Sequence, residues 1–219
     1  TGHTSGVNSL VFSQCHRLLA SASDDRKIRV WDTMSGQCVQ TLEGHNGPLR
    51  SLTYGSDENE IISASDDQTI KVWNLQSGEC LRTIEAHEGS VRAICLSPDK
   101  QKIISAGDDA SLKVWSISTY QCLNTLKGHT ASVRDLVACP DNKTVISGSS
   151  DGNICLWDYE RTTPIKTLRG HTERIRSISL NSDGTLLASG SFDNTIRIRQ
   201  ITSGESSGNI VGNSNWIRS

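Results

Sequence analysis

Apolar and polar residues along the chain fall into short runs rather than at helical spacing. The first set is Val7–Phe12, Leu18–Ser23, Ile28–Trp31 and Cys38–Leu42, each too short for a helix and rich in β-branched residues, which predicts strands. Turn residues separate the runs. Ser97-Pro98-Asp99 and Asn181-Ser182-Asp183-Gly184 lie between first and second strands, and Asp24-Asp25, Asp66-Asp67 and Asp151-Gly152 between second and third. Ser35-Gly36 and Ser77-Gly78 lie between third and fourth. Strands joined this tightly make antiparallel meanders. The second strands, such as Leu18-Leu19-Ala20, Ile61-Ile62 and Ile103-Ile104, are apolar on both faces and are expected between two neighbouring sheets. The fourth strands alternate, are more polar and include Pro164, as expected of outer edges.

The pattern repeats. His3, His45, His87, His129 and His171 are 42 residues apart, and Trp31, Trp73, Trp115 and Trp157 keep the same step, with Arg199 in the fifth place. Asp25, Asp67, Asp109, Asp151 and Asp193 stand six residues before these, and Ser21, Ser63, Ser105, Ser147 and Ser189 ten before. No insertion or deletion breaks the count, so one supersecondary unit is used five times.

A Gly-His pair, an S-x-S-x-D turn and a closing Trp-Asp resemble the WD40 repeat, whose blades pack radially into a β-propeller. Gly-His stands at Gly2-His3, Gly44-His45, Gly128-His129 and Gly170-His171, with Ala86-His87 in the third repeat. Trp-Asp stands at Trp31-Asp32 and Trp157-Asp158; elsewhere it is Trp73-Asn74, Trp115-Ser116 and Arg199-Gln200. The resemblance implies an all-β propeller of four-stranded antiparallel blades, at about residues 2–43, 44–85, 86–127, 128–169 and 170–211. Residues 212–219 align with the start of repeat two and are expected to open a sixth repeat, so the chain is expected to be part of a longer propeller. Five blades in an open arc would leave one apolar face bare at each end, which predicts that the isolated chain either self-associates or closes into a strained five-blade ring.

Ser, His and Asp in every repeat are also the parts of a catalytic triad. The structural reading is the stronger, because an enzyme needs one such site and no G-x-S-x-G elbow, H-E-x-x-H or Walker loop occurs. The resemblance implies that His, Ser, Asp and Trp hydrogen-bond to one another inside each blade. Arg199 should deprive Ser189 of its indole donor, and the fifth fourth-strand, 205–210, is the weakest by composition; this blade is expected to be the least stable.

Composition narrows the function classes. A net charge of −2 over 219 residues provides no field for nucleic acid or anionic lipid. The apolar runs are too short to span a membrane, and the polar first residues do not read as a signal peptide. Cys38, Cys80 and Cys122 occupy equivalent positions and no C-x-x-C occurs among the seven cysteines, so they are expected as small buried side chains, not a disulfide or zinc framework. Free thiols suit the cytoplasm or nucleus. No metal or cofactor is expected.

The first strands open with Leu49-Arg50, Val91-Arg92, Val133-Arg134, Ile175-Arg176 and Ile217-Arg218, with Asn8 in the first repeat. By resemblance these arginines lie around the mouth of the central channel, where propellers of this kind bind partners. Two further positions share that face: Gly6, Pro48, Ser90, Ser132, Arg174 and Trp216, and Asp24, Asp66, Asp108, Ser150 and Phe192. Pairing of the arginines with the aspartates would give a neutral lattice, and this fits the first three repeats. From Ser150 onward the acids are gone while Arg134, Arg174, Arg176 and Arg218 remain, which suits an acidic or phosphorylated ligand. The expected function is a non-catalytic scaffold for partner proteins or peptides; the alternative is the sensor region of a larger signalling ATPase or kinase.

Overall fold

The computed structural model describes residues 2–204 and 206–211, so the expected sixth repeat at 212–219, with Trp216 and Arg218, lies outside the described residues. The described residues form strands and turns and no helix. The first repeat contains β1 (Val7–Phe12), β2 (Leu18–Ser23), β3 (Lys27–Asp32) and β4 (Cys38–Glu43). The second contains β5 (Leu49–Tyr54), β6 (Glu60–Ser65), β7 (Thr69–Asn74) and β8 (Cys80–Glu85). The third contains β9 (Val91–Leu96), β10 (Lys102–Gly107), β11 (Ser111–Ser116) and β12 (Cys122–Lys127). The fourth contains β13 (Val133–Ala138), β14 (Thr144–Ser149), β15 (Ile154–Asp158) and β16 (Lys166–Leu168). The fifth contains β17 (Ile175–Leu180), β18 (Leu186–Ser191), β19 (Thr195–Gln200) and β20 (Ser206–Val211). Each repeat is one four-stranded antiparallel sheet, paired in chain order. These sheets are the blades of a β-propeller.

The core lies between blades. Ala20, Ala22, Ile28, Val30 and Leu42 of the first blade pack on Leu49, Leu52, Tyr54, Ile61 and Trp73 of the second. The same positions meet at the next three junctions, for example Ile62, Ile70 and Val72 against Val91, Ile94 and Trp115, and Ile146, Ile154 and Leu156 against Ile175, Ile178 and Leu187. A second strand that is apolar on both sides is therefore buried on both sides, as in a parallel-sheet core, although its own sheet is antiparallel. Polar side chains also cross the junctions. Leu52 N donates to Ser9 Oγ at 3.2 Å, Ile94 N to Ser51 Oγ at 3.3 Å, and Ile178 N to Asp135 Oδ2 at 2.8 Å.

Two expectations are corrected. Cys38, Cys80 and Cys122 are exposed, not buried. They begin the outer strands, face solvent, and each places its thiol near a backbone carbonyl two residues on. Pro164 lies before β16 rather than within it, and β16 is reduced to Lys166–Leu168; a residue without an N–H cannot extend the ladder. In the fifth blade β20 pairs with β19 from Thr195↔Val211 to Arg199↔Ser206.

Candidate functional site

The structure brings the repeated polar residues together inside each blade. In the second, His45 Nδ1 donates to Asp67 Oδ2 at 2.7 Å, His45 Nε2 lies 2.8 Å from Ser63 Oγ, and Trp73 Nε1 donates to Ser63 Oγ at 2.8 Å. His3–Ser21–Asp25–Trp31, His87–Ser105–Asp109–Trp115 and His129–Ser147–Asp151–Trp157 repeat this chain. The preceding glycine has a packing reason: a Cβ at Gly2 would stand 2.9 Å from the Trp31 ring, and one at Gly128 3.1 Å from Trp157. Each serine is at most 3% exposed, and in these four blades its oxygen already accepts from an indole N–H.

In the fifth blade His171 and Asp193 are 2.8 Å apart and His171 and Ser189 2.8 Å apart, without the indole. Arg199 is buried in its place, and its guanidinium lies over Gly170 beside that of Arg197 and donates from Nη2 to the Arg169 carbonyl at 2.7 Å. Nε of both arginines is buried without an acceptor. The electrostatic result is opposite in adjacent blades. Burial disfavours charge on His129, but Asp151 and Cys155 prevail and raise its pKa to about 9. Burial lowers that of His171, with Arg197 and Arg199 adding to the effect against Asp193.

The arginine series sits on β-bulges. The register of every first strand skips one residue: Asn8, Arg50, Arg92, Arg134 and Arg176 fall between the paired residues on either side. A bulge re-aims its extra side chain, and here these five side chains line one cavity of about 340 Å³, walled by all five first strands. Around it runs a lattice. Arg50 Nε donates to Asp66 Oδ1 at 2.9 Å, Nη2 to Asp66 Oδ2, and Nη1 to Asp24 Oδ1 at 2.9 Å. Arg92 repeats this with Asp108 from Nε and Nη2 and with Asp66 from Nη1 at 3.1 Å. Each arginine thus forks onto its own blade's aspartate and reaches the previous blade's with the remaining nitrogen. Asn8 donates to Asp24 at 2.8 Å. Burial opposes charge on Asp108, but Arg92 and the Ser132 hydroxyl hold its pKa down at about 2.

The lattice stops at the fourth blade. Arg134 Nε donates to Ser150 Oγ at 2.9 Å, and its other nitrogens make no hydrogen bond with a described residue. Burial, and then repulsion from Arg92, Arg176 and Arg174, depress its pKa in spite of Asp108. Arg174 is exposed and stacks on Phe192 at 4.7 Å. Asp135, one residue along from Arg134, is the acid of this region; burial raises its pKa, and its oxygens accept from Ile178 N, Ser177 Oγ and Leu136 N. Its part in the blade junction went unnoticed in the sequence, although small or polar residues recur there at Ser9, Ser51, Ala93, Asp135 and Ser177.

Comparison with known proteins agrees with this architecture. Residues 1–32 match the family described as WD domain, G-beta repeat. The nuclear distribution protein PAC1 of Gibberella zeae is 48% identical over 44 residues, 20% of this chain and 10% of the relative. The probable E3 ubiquitin ligase complex SCF subunit sconB of Arthroderma otae is 42% identical over 43 residues, 20% of this chain and 6% of the relative. Mitochondrial division protein 1 of Vanderwaltozyma polyspora is 44% identical over 41 residues, 19% of this chain and 6% of the relative. These likenesses are one repeat long and span a tenth or less of each curated relative. The family described as IFT122 first beta-propeller matches residues 48–219, and with five such blades the chain belongs to it, among the WD40-repeat β-propellers.

Proposed function

We propose that this chain is a non-catalytic interaction scaffold that docks acidic or phosphorylated segments of partner proteins at the channel mouth, over the fourth and fifth blades. WD40 propellers are in general protein-interaction platforms, and one relative is named as a subunit of a ubiquitin ligase complex. The observation that carries the finer reading is the loss of acidic partners around Arg134 and Arg176 while Arg50 and Arg92 are saturated by Asp24, Asp66 and Asp108. Guanidinium groups that make no salt bridge among the described residues at a concave mouth favour anionic peptides over nucleic acid, for which a net charge of −2 provides no attracting field. Catalysis is disfavoured by the burial of every tetrad serine. Seven free cysteines suit the reducing cytoplasm or nucleus, and no helix among the described residues is long and apolar enough to cross a membrane.

The test is affinity capture with the wild-type chain and an Arg134→Glu/Arg176→Glu variant across a salt series. Partners should be retained by the wild type, be released as salt rises, and be lost by the variant. Capture that is flat in salt and indifferent to both reversals removes the reading.

A further inference from the structure

The lattice of the first three blades defines what surrounds each acid at the mouth. Asp66 receives Nε and Nη2 of Arg50 from its own blade and Nη1 of Arg92 from the next. The next blade also supplies the residue two before its arginine: Ser132 donates to Asp108, and Ser90 helps hold down the pKa of Asp66. Carried forward from Asp66 by two repeats, the same positions around Ser150 belong to Arg134, Arg176 and Arg174. Arg134 does point there, with Nε donating to Ser150 Oγ at 2.9 Å. Arg134 and Arg176 line one cavity, and Arg174 stands two residues before Arg176, where Ser132 stands before Arg134. An aspartate has become a serine, and a neighbouring serine has become an arginine. Both changes move the same position toward positive charge, and Arg134 and Arg176 line the open cavity beside it.

We infer that the position occupied by aspartate in the first three blades is, at Ser150, a subsite for one phosphoryl group of a partner peptide, held by Arg134, Arg174 and Arg176. The inference rests on the docking face proposed above and adds the group and its place. A carboxylate would supply the single charge that Asp66 supplies between two arginines. The carboxylates of this region are already engaged, Asp108 by Arg92 and Ser132, and Asp135 by Ile178 N, Ser177 Oγ and Leu136 N; three arginines without a salt bridge among the described residues suit a dianion with three acceptor oxygens, which is a phosphomonoester. In the fifth blade the equivalent position is Phe192, an apolar ring that carries Arg174 on its face and has no hydroxyl to share with an anion. The first three blades are excluded by their own aspartates.

The structure also provides a variant that fills the subsite without disturbing the fold: Ser150→Asp restores the residue of the three preceding blades. The probe is an acetylated, amidated Ala-phosphoserine-Ala peptide, compared with its serine and glutamate counterparts by titration calorimetry on the full chain. The phosphopeptide should bind wild type and Ser150→Ala, with the glutamate peptide weaker and the serine peptide silent. Ser150→Asp should keep or raise the melting temperature and weaken the phosphopeptide by about tenfold or more, the loss expected when a charge-assisted contact is pre-empted. Arg174→Ser, which restores the residue type of Ser90 and Ser132, should weaken it without loss of fold. Equal binding by Ser150→Asp and wild type, or no preference for the phosphorylated peptide, overturns the subsite. If partner capture then still needs Arg134 and Arg176, the docking face stands without it. If the phosphopeptide responds to Ser150→Asp while capture ignores the arginines, the subsite stands and the docking reading falls.

Discussion

Each tetrad aspartate serves more than its histidine. Asp67 Oδ2 accepts from His45 and from Asn46 N at 2.9 Å, and Oδ1 accepts from Thr69 N at 3.0 Å and Thr69 Oγ1 at 2.7 Å. Burial alone would raise these carboxyl pKa values, but the histidine and turn donors prevail and lower all five, with Asp151 and Asp193 at about 2. A carboxyl depressed in the folded state contributes stability that is complete above its unfolded pKa, about 3.9, and is lost as pH falls through the folded value. The melting temperature should therefore drop between about pH 4 and pH 2, and Asp67→Ala should cost about 1–3 kcal/mol at neutral pH. Thermal scans of both proteins from pH 7 to pH 2 check this; an Asp67→Ala chain as stable as wild type would show that the tetrad is dispensable. At this scale the sequence was most legible, because one spacing carried four partners. It could not show that Ser132 takes an oxygen of Asp108, since that bond joins neighbouring blades across a turn.

At the scale of the blade, the third strand shows what the tryptophan contributes. Trp73 and Trp157 are at most 1% exposed, and each satisfies its indole N–H inside the sheet. Arg199 buries a guanidinium in that position with Nε unpaired beside a second cation. Arg199→Trp should restore the donor to Ser189 and the ring against Gly170; the first blade already accommodates Arg29 next to Trp31 in this way. A higher melting temperature and slower amide exchange in β17–β19 are expected, and a lower melting temperature would show that Arg199 is needed where it stands. The alternation that revealed the strands was less informative about the rim. Cys38, Cys80 and Cys122 repeat as regularly as the tetrads, yet periodicity reports only equivalence; which side of an edge strand meets water depends on a packing partner that an outer strand lacks.

On the scale of the molecule, the four junctions bury their faces and the two ends do not. Val7, Leu10 and Phe12 are 49%, 62% and 55% exposed, whereas their counterparts Leu49, Leu52 and Tyr54 are 0%, 6% and 8% exposed. On the far side of the fifth blade Ala188, Ile196 and Ile198 are only partly buried, where Ala20, Ile28 and Val30 are sealed. We propose that further blades of the same kind cover these faces, and that the isolated chain associates through them. Sizing and solution scattering over a concentration series should show assembly that weakens in a Leu10→Asp/Phe12→Asp variant; a compact monomer at every concentration would refute this. Apolar ends follow from counting identical blades, whereas how far the blades turn about the channel is set by curvature, which no residue pattern records. The identity of the four junctions has a practical corollary for engineering. A second copy of residues 86–127 placed in register would meet the preceding and following blades through the faces they already use. It would extend the Arg92–Asp108 lattice by one link and leave both terminal faces as they are. The chain can thus be lengthened in steps of 42 residues without designing a new interface, and each step adds one unit and one nearest-neighbour contact to a linear array.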